Sequence, residues 1–166
     1  MLIQCRDVLI EGCTFQNILN GTFLIHSISD IFAEGIVPRN VVIKNNKFMA
    51  NRSGDVRAYT SGPDGRLPNT ITGIEVTNNF FYRGSAVSVG LESVGSSTVA
   101  NNFVYEIQES VTDVIYIDDS QDILVEGNYI LGSSSNEELD PILVKKDKTS
   151  NITLKDNVID ISEPQD

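Results

Sequence analysis

Apolar and polar residues alternate along this chain in short runs that return repeatedly to one register. The segments VLIEGCTF (8–15), VVIKNNKF (41–48), IEVTNNFF (74–81), STVANNFV (97–104), ILVEGNYI (123–130) and ITLKDNVI (152–159) align without gaps. Their first column reads Val8, Val41, Ile74, Ser97, Ile123 and Ile152, and their third reads Ile10, Ile43, Val76, Val99, Val125 and Leu154. Apolar side chains at every second position line one face of a strand. The sixth column holds Cys13, then Asn46, Asn79, Asn102, Asn128 and Asn157, and the eighth is again apolar, from Phe15 and Phe48 to Ile159. Asparagine tolerates the left-handed conformation that bends a chain. The expected unit is therefore strand, Asn corner, strand.

Successive corner positions lie 33, 33, 23, 26 and 29 residues apart, and a self-similar period of this length marks a solenoid. None of the intervals carries the amphipathic helix that a βαβ crossover needs. They hold instead the short runs GTFLIH, DVRAY, AVSVG, VIYID and PILVK, which predict a third strand per repeat. The fold class predicted is all-β: a single-stranded right-handed parallel β-helix of about six coils, forming one domain over 1–166, with the corner Asn side chains stacked in a hydrogen-bonded ladder. A left-handed β-helix would need a strict hexapeptide period, and an antiparallel sandwich would not repeat one signature in one register.

Composition agrees, with 19 Ile and 16 Val against 11 Leu and 5 Ala, since β-branched residues favour pleated surfaces. Twelve basic against 23 acidic residues give a formal charge of −11, which repels nucleic-acid phosphates and anionic lipid. Neither nucleic acid nor a membrane is expected as a partner. No window nears 18 consecutive apolar residues, and the first 20 residues lack the pattern of a signal peptide. Cys5 and Cys13 lack zinc-ligand spacing and read as two buried thiols. No cofactor and no bound metal are expected.

The strand, Asn-bearing turn and second short strand resemble the coils of the pectin-lyase-like superfamily of right-handed β-helices. Cys13-Thr14-Phe15, Phe32-Ala33-Glu34-Gly35 and Val41 to Phe48 look, more narrowly, like late coils of α-1,3-galactosidase-type β-helix glycoside hydrolases. The resemblance implies a carbohydrate-active β-helix, related to glycoside hydrolases or polysaccharide lyases, with carbohydrate as partner and an extracellular or periplasmic location for the parent protein. The catalytic carboxylates of such enzymes are expected on earlier coils, and none transfers to a position here. The alternative is a non-catalytic structural or adhesive module of a cell-surface or phage tailspike protein.

The start of the chain, MLIQCRDVLIEGCTF, aligns with YIDDSQDILVEGNYI at 116–130. The expectation is thus a fragment of a longer β-helix, whose open first coil could self-associate. If Phe23 and Ile25, Val56 and Ala58, Val87 and Val89, Ile115 and Ile117, and Ile142 and Val144 point inward, their neighbours form an outward ladder. That ladder brings His26, Arg57 and Tyr59 onto one surface, with Tyr116, Asp118 and Asp119 two coils on. His26 suits a general base, and Arg57 with Tyr59 suits a sugar ring or a uronate carboxylate. Asp113, Asp118 and Asp119 suit paired carboxylates or Ca²⁺. The insertions 27–40 and 60–72 leave on the same side and could wall a groove. Glu34, Asp64 and the acidic loop from Glu137 to Asp140 are weaker candidates, since an acidic protein collects carboxylates in its loops.

Overall fold

The computed structural model describes residues 1–28, 37–61 and 69–162. Among these residues the chain forms β1 (Leu2–Ile3), β2 (Arg6–Glu11), β3 (Thr14–Gln16), β4 (Phe23–Ile28), β5 (Arg39–Lys44), β6 (Lys47–Met49), β7 (Val56–Ser61), β8 (Ile71–Thr77) and β9 (Phe80–Tyr82). It continues through β10 (Val89–Glu92), β11 (Val94–Ala100), β12 (Phe103–Tyr105), β13 (Ile115–Asp118), β14 (Gln121–Glu126), β15 (Tyr129–Ser133), β16 (Ile142–Val144), β17 (Ser150–Lys155) and β18 (Val158–Ser162). Each strand pairs in parallel with the strand three places along. The result is three six-stranded sheets: A from β1 to β16, B from β2 to β17, and C from β3 to β18. This is the predicted parallel β-helix, a solenoid of about five turns.

The repeat columns become stacks. Val41, Ile43, Ile74, Val76, Val99, Ile123 and Val125 point inward from sheet B, and Phe48, Phe81, Val104 and Ile130 from sheet C, all buried. Phe48 stacks on Phe81 with centroids 4.7 Å apart and on Phe15 at 5.3 Å. Ser97, the polar member of the first column, is buried too. Its hydroxyl accepts from the Ile74 N–H at 2.9 Å and donates to the Gly95 carbonyl at 2.9 Å, so its burial leaves no polar group unsatisfied.

The Asn column forms the predicted ladder. Asn79 Nδ2 donates to the Ile43 carbonyl at 2.8 Å and to Asn102 Oδ1 at 3.1 Å, while its own Oδ1 accepts from Asn46 N at 2.9 Å and Asn46 Nδ2 at 3.1 Å. The same contacts recur at Asn102 and Asn128. The bend itself, however, sits one residue earlier than expected. Positive φ belongs to Gly12, Asn45, Asn78, Asn101, Gly127 and Asp156, the fifth column, whose Gly, Asn and Asp tolerate that region. The ladder residue is selected for its amide and its neighbour for its backbone.

Two further expectations are corrected. Cys5 and Cys13 are both exposed; Cys13 occupies the first rung of the ladder, where Asn46 covers one side only. The third strand of the third coil is Val89–Glu92, not the AVSVG run, because Val89 pairs with Val56 and Leu91 with Ala58. Val87, Val89 and Leu91 alternate continuously, so two registers present equally apolar inner faces. The observed one buries Leu91 fully.

Candidate functional site on the outer face of sheet A

With Phe23, Ile25, Val56, Ala58, Leu91, Ile115 and Ile117 buried inside, strand alternation turns the residues between them outward. Register then aligns Leu24, Arg57, Gly90, Tyr116 and Leu143 in one column. His26 pairs with Tyr59, and Glu92 with Asp118, in the next. The corrected register therefore places Glu92, absent from the sequence-derived ladder, where Gly90 had been expected.

His26, Arg57 and Tyr59 do meet. The His26 and Tyr59 rings lie 4.2 Å apart between centroids, and the Arg57 guanidinium carbon is 5.6 Å from the Tyr59 ring centre. His26 is largely buried, and its Nε2 is 2.9 Å from Ser61 Oγ. Burial holds the imidazole below its ordinary titration range, which favours the neutral, acceptor-capable form at neutral pH.

Arg57 reaches along the face rather than into solvent. Gly90, on the adjoining rung, has no side chain, and the position its Cβ would take is 3.7 Å from Arg57 Cγ. The Arg57 stem lies over that glycine, and Nη2 meets Glu92 Oε1 at 2.7 Å. One rung on, the Tyr116 hydroxyl donates to Asp118 Oδ2 at 3.2 Å. Asp119 turns away from this row. It is buried, has φ 47° and accepts from Ser93 Oγ at 3.0 Å, which makes it a corner residue.

Two shallow cavities flank Tyr116. One, about 380 Å³, is lined by Arg57, Val87, Glu92, Asp113 and Tyr116; the other, about 350 Å³, by Tyr116, Asp118, Asp119, Lys145, Asp147 and Lys148. The face is thus a row of charges of both signs around a tyrosine. Among the described residues no three His, Cys, Asp or Glu side chains converge as metal ligands. Most of the insertions expected to wall this face, including Glu34 and Asp64, lie outside the described residues, as does the Phe32 to Gly35 run. Sequence reading missed Glu92 because it followed the wrong pair of valines; extending the alternation by one residue pair to Leu91 would have found it.

Residues 1–163 match the family described as the right handed beta helix region. The chain belongs to that family, and its parallel coils carry the right-handed crossover that parallel strands adopt almost without exception. No curated protein and no solved structure gives a significant match.

Proposed function

We propose that this β-helix recognises a carbohydrate along the outer face of sheet A, as part of a protein related to the pectin-lyase-like superfamily. The observation that supports the reading is the polar row on successive rungs: Arg57, Glu92, Tyr116, Asp118 and Lys145. Sugar hydroxyls need donors and acceptors closely spaced along a track, and these five supply both at the ~4.8 Å rung interval of a sheet. Tyr59 and Tyr116 add ring surface for the apolar faces of a pyranose.

A neutral saccharide suits the row better than a uronate, because the Arg57 guanidinium is already bonded to Glu92. Engagement of Glu92 by Arg57 and of Asp118 by Tyr116 favours binding over turnover. A second reading rests on the register of Glu92 with Asp118. Carboxylates on adjacent rungs start near the ~5–5.5 Å separation of retaining glycosidases, which would suit glycoside hydrolysis.

One experiment separates these readings: calorimetric titration with galactosides and other neutral oligosaccharides, alongside an assay for released reducing ends. Binding without turnover, weakened by Tyr116→Ala in a variant that keeps its unfolding midpoint, is the expected result. Turnover abolished by Glu92→Gln and Asp118→Asn would establish the second reading. Absence of binding by any saccharide overturns both.

A further inference from the structure

Sheet C carries two aromatic columns on its outer face. Phe80, Phe103 and Tyr129 occupy one, Tyr82 and Tyr105 the other, in register across β9, β12 and β15. The rings stack along the solenoid axis. Phe80 and Phe103 have centroids 5.8 Å apart and planes 18° apart; Tyr82 and Tyr105 have 6.1 Å and 19°. A ring inside such a stack has its faces covered by its neighbours and shows solvent an edge. Only a ring at the end of a column can offer a face.

Tyr105 is one of the end rings, and the one that lines a groove. Tyr82 covers one side of it, but the next residue in register is Leu131 and the one after is Asp160, so the aromatic column stops there. Tyr105 is 41% exposed. Beside it lies a groove of about 1090 Å³, whose lining includes Tyr105, Leu131, Arg83, Gln108, Glu109 and Asp160.

The chemistry of the rim narrows the occupant. Arg83 Nε is 3.2 Å from Glu106 Oε2, so the cation lining the groove is paired. Glu109 accepts from Ser135 N at 2.9 Å and Ser135 Oγ at 2.8 Å, and these hydrogen bonds hold its carboxyl below the usual range. With Asp160 also in the lining, the groove is net acidic and repels phosphate, sulfate or uronate ligands. Glu106 and Glu109 already have protein donors, which weakens their pull on a cation relative to a cage of bare carboxylates. What remains is an exposed aromatic ring beside a leucine within a broad trench rimmed by amide, hydroxyl and carboxylate groups. That combination fits a flat molecule with one apolar face and many neutral hydroxyls.

We infer that the groove beside Tyr105 binds a neutral oligosaccharide, one pyranose ring resting against Tyr105 and Leu131. This site is separate from the sheet A face and does not depend on it. Gln108 and Glu109, on the segment that follows β12, are placed to meet the sugar's hydroxyls.

The five tyrosines make the test direct. Tyr59 and Tyr116 lie on sheet A, and Tyr82, Tyr105 and Tyr129 on sheet C. Ring-labelled tyrosine signals, followed by NMR during titration of the full chain with neutral gluco-, galacto- and manno-oligosaccharides, report each surface separately. Saturable shifts at Tyr105 and Tyr82, with affinity reduced about tenfold or more by Tyr105→Ala and nearly retained by Tyr105→Phe, are expected. Movement confined to Tyr59 and Tyr116 would overturn this inference while leaving the sheet A reading intact. An unchanged affinity in a folded Tyr105→Ala variant would also overturn it. So would equal shifts with tetramethylammonium, which would mark a cation site, or shifts that track protein concentration without sugar, which would mark a contact between copies.

Discussion

Arg57 and Glu92 meet at 2.7 Å across the bare backbone of Gly90, and this one contact orders the centre of the sheet A face. The Glu92 side chain is only 6% exposed, whereas that of Arg57 is 46% exposed. The carboxylate is therefore the more desolvated of the two partners. Arg57→Ala should lower stability by about 2 kcal/mol, since a charge-assisted hydrogen bond to a largely desolvated carboxylate is lost. Adding Glu92→Leu should restore much of that loss. Urea midpoints of the two variants check both statements, and an unchanged midpoint for Arg57→Ala would show that the pair holds nothing in place.

The corner separates two jobs between adjacent residues. Asn79→Val removes two donated and two accepted hydrogen bonds of the ladder and should cost about 1–3 kcal/mol. Asn78→Val should cost a similar amount for a different reason, because φ at Asn78 is 55° and a β-branched residue is strained there. Asn78→Gly should be nearly neutral, whereas Asn79→Gly should not. Thermal unfolding of the four variants distinguishes the two roles.

Asp55 makes stability depend on pH in an unusual direction. Its carboxyl is buried, bonded by Asn51 Nδ2 at 2.7 Å and Thr22 Oγ1 at 3.2 Å, and burial pushes its pKa up from 3.8 to about 6. The folded state holds this proton more tightly than the unfolded chain does. The group's contribution is therefore full below about pH 4, declines as pH rises through about 6 and is lost above that. The rise corresponds to on the order of 3 kcal/mol at pH 7. Asp55→Asn keeps an acceptor for Asn51 and Thr22, so it should match the parent at pH 4 and exceed it at pH 7. Denaturant midpoints at the two values test the sign, and a variant less stable than the parent at pH 7 would refute it. His26, held low by burial, acts in the opposite sense by opposing folding as it protonates, which is why the comparison is made between variants at each pH.

Sheets B and C were readable from sequence because the Asn column fixes their register every coil. Sheet A has no such marker. Its strands are followed or preceded by insertions of unequal length, and the run Val87, Val89, Leu91 satisfies alternation in either of two registers, so Glu92 was displaced from the predicted ladder. The exposed cysteines and the position of the bend were misread for related reasons. Residue type alone does not say that Cys13 has a neighbour on one side, nor whether Asn45 or Asn46 carries the positive φ. The aromatic columns were present in the repeat at its seventh and ninth positions, as Phe80, Phe103 and Tyr129 and as Tyr82 and Tyr105. They lie outside the apolar pattern that defines the core, so a search for buried positions passes over them.

The measurement that bears most directly on a carbohydrate-binding sheet A is an amide chemical-shift map of the uniformly labelled chain, recorded with a neutral oligosaccharide that binds in calorimetry. Arg57, Gly90, Glu92, Tyr116 and Leu143 should shift, while Glu75, Thr98 and Thr153, which share one outward column of sheet B, should stay fixed. Saturable binding that leaves every one of the sheet A amides unmoved would contradict the account.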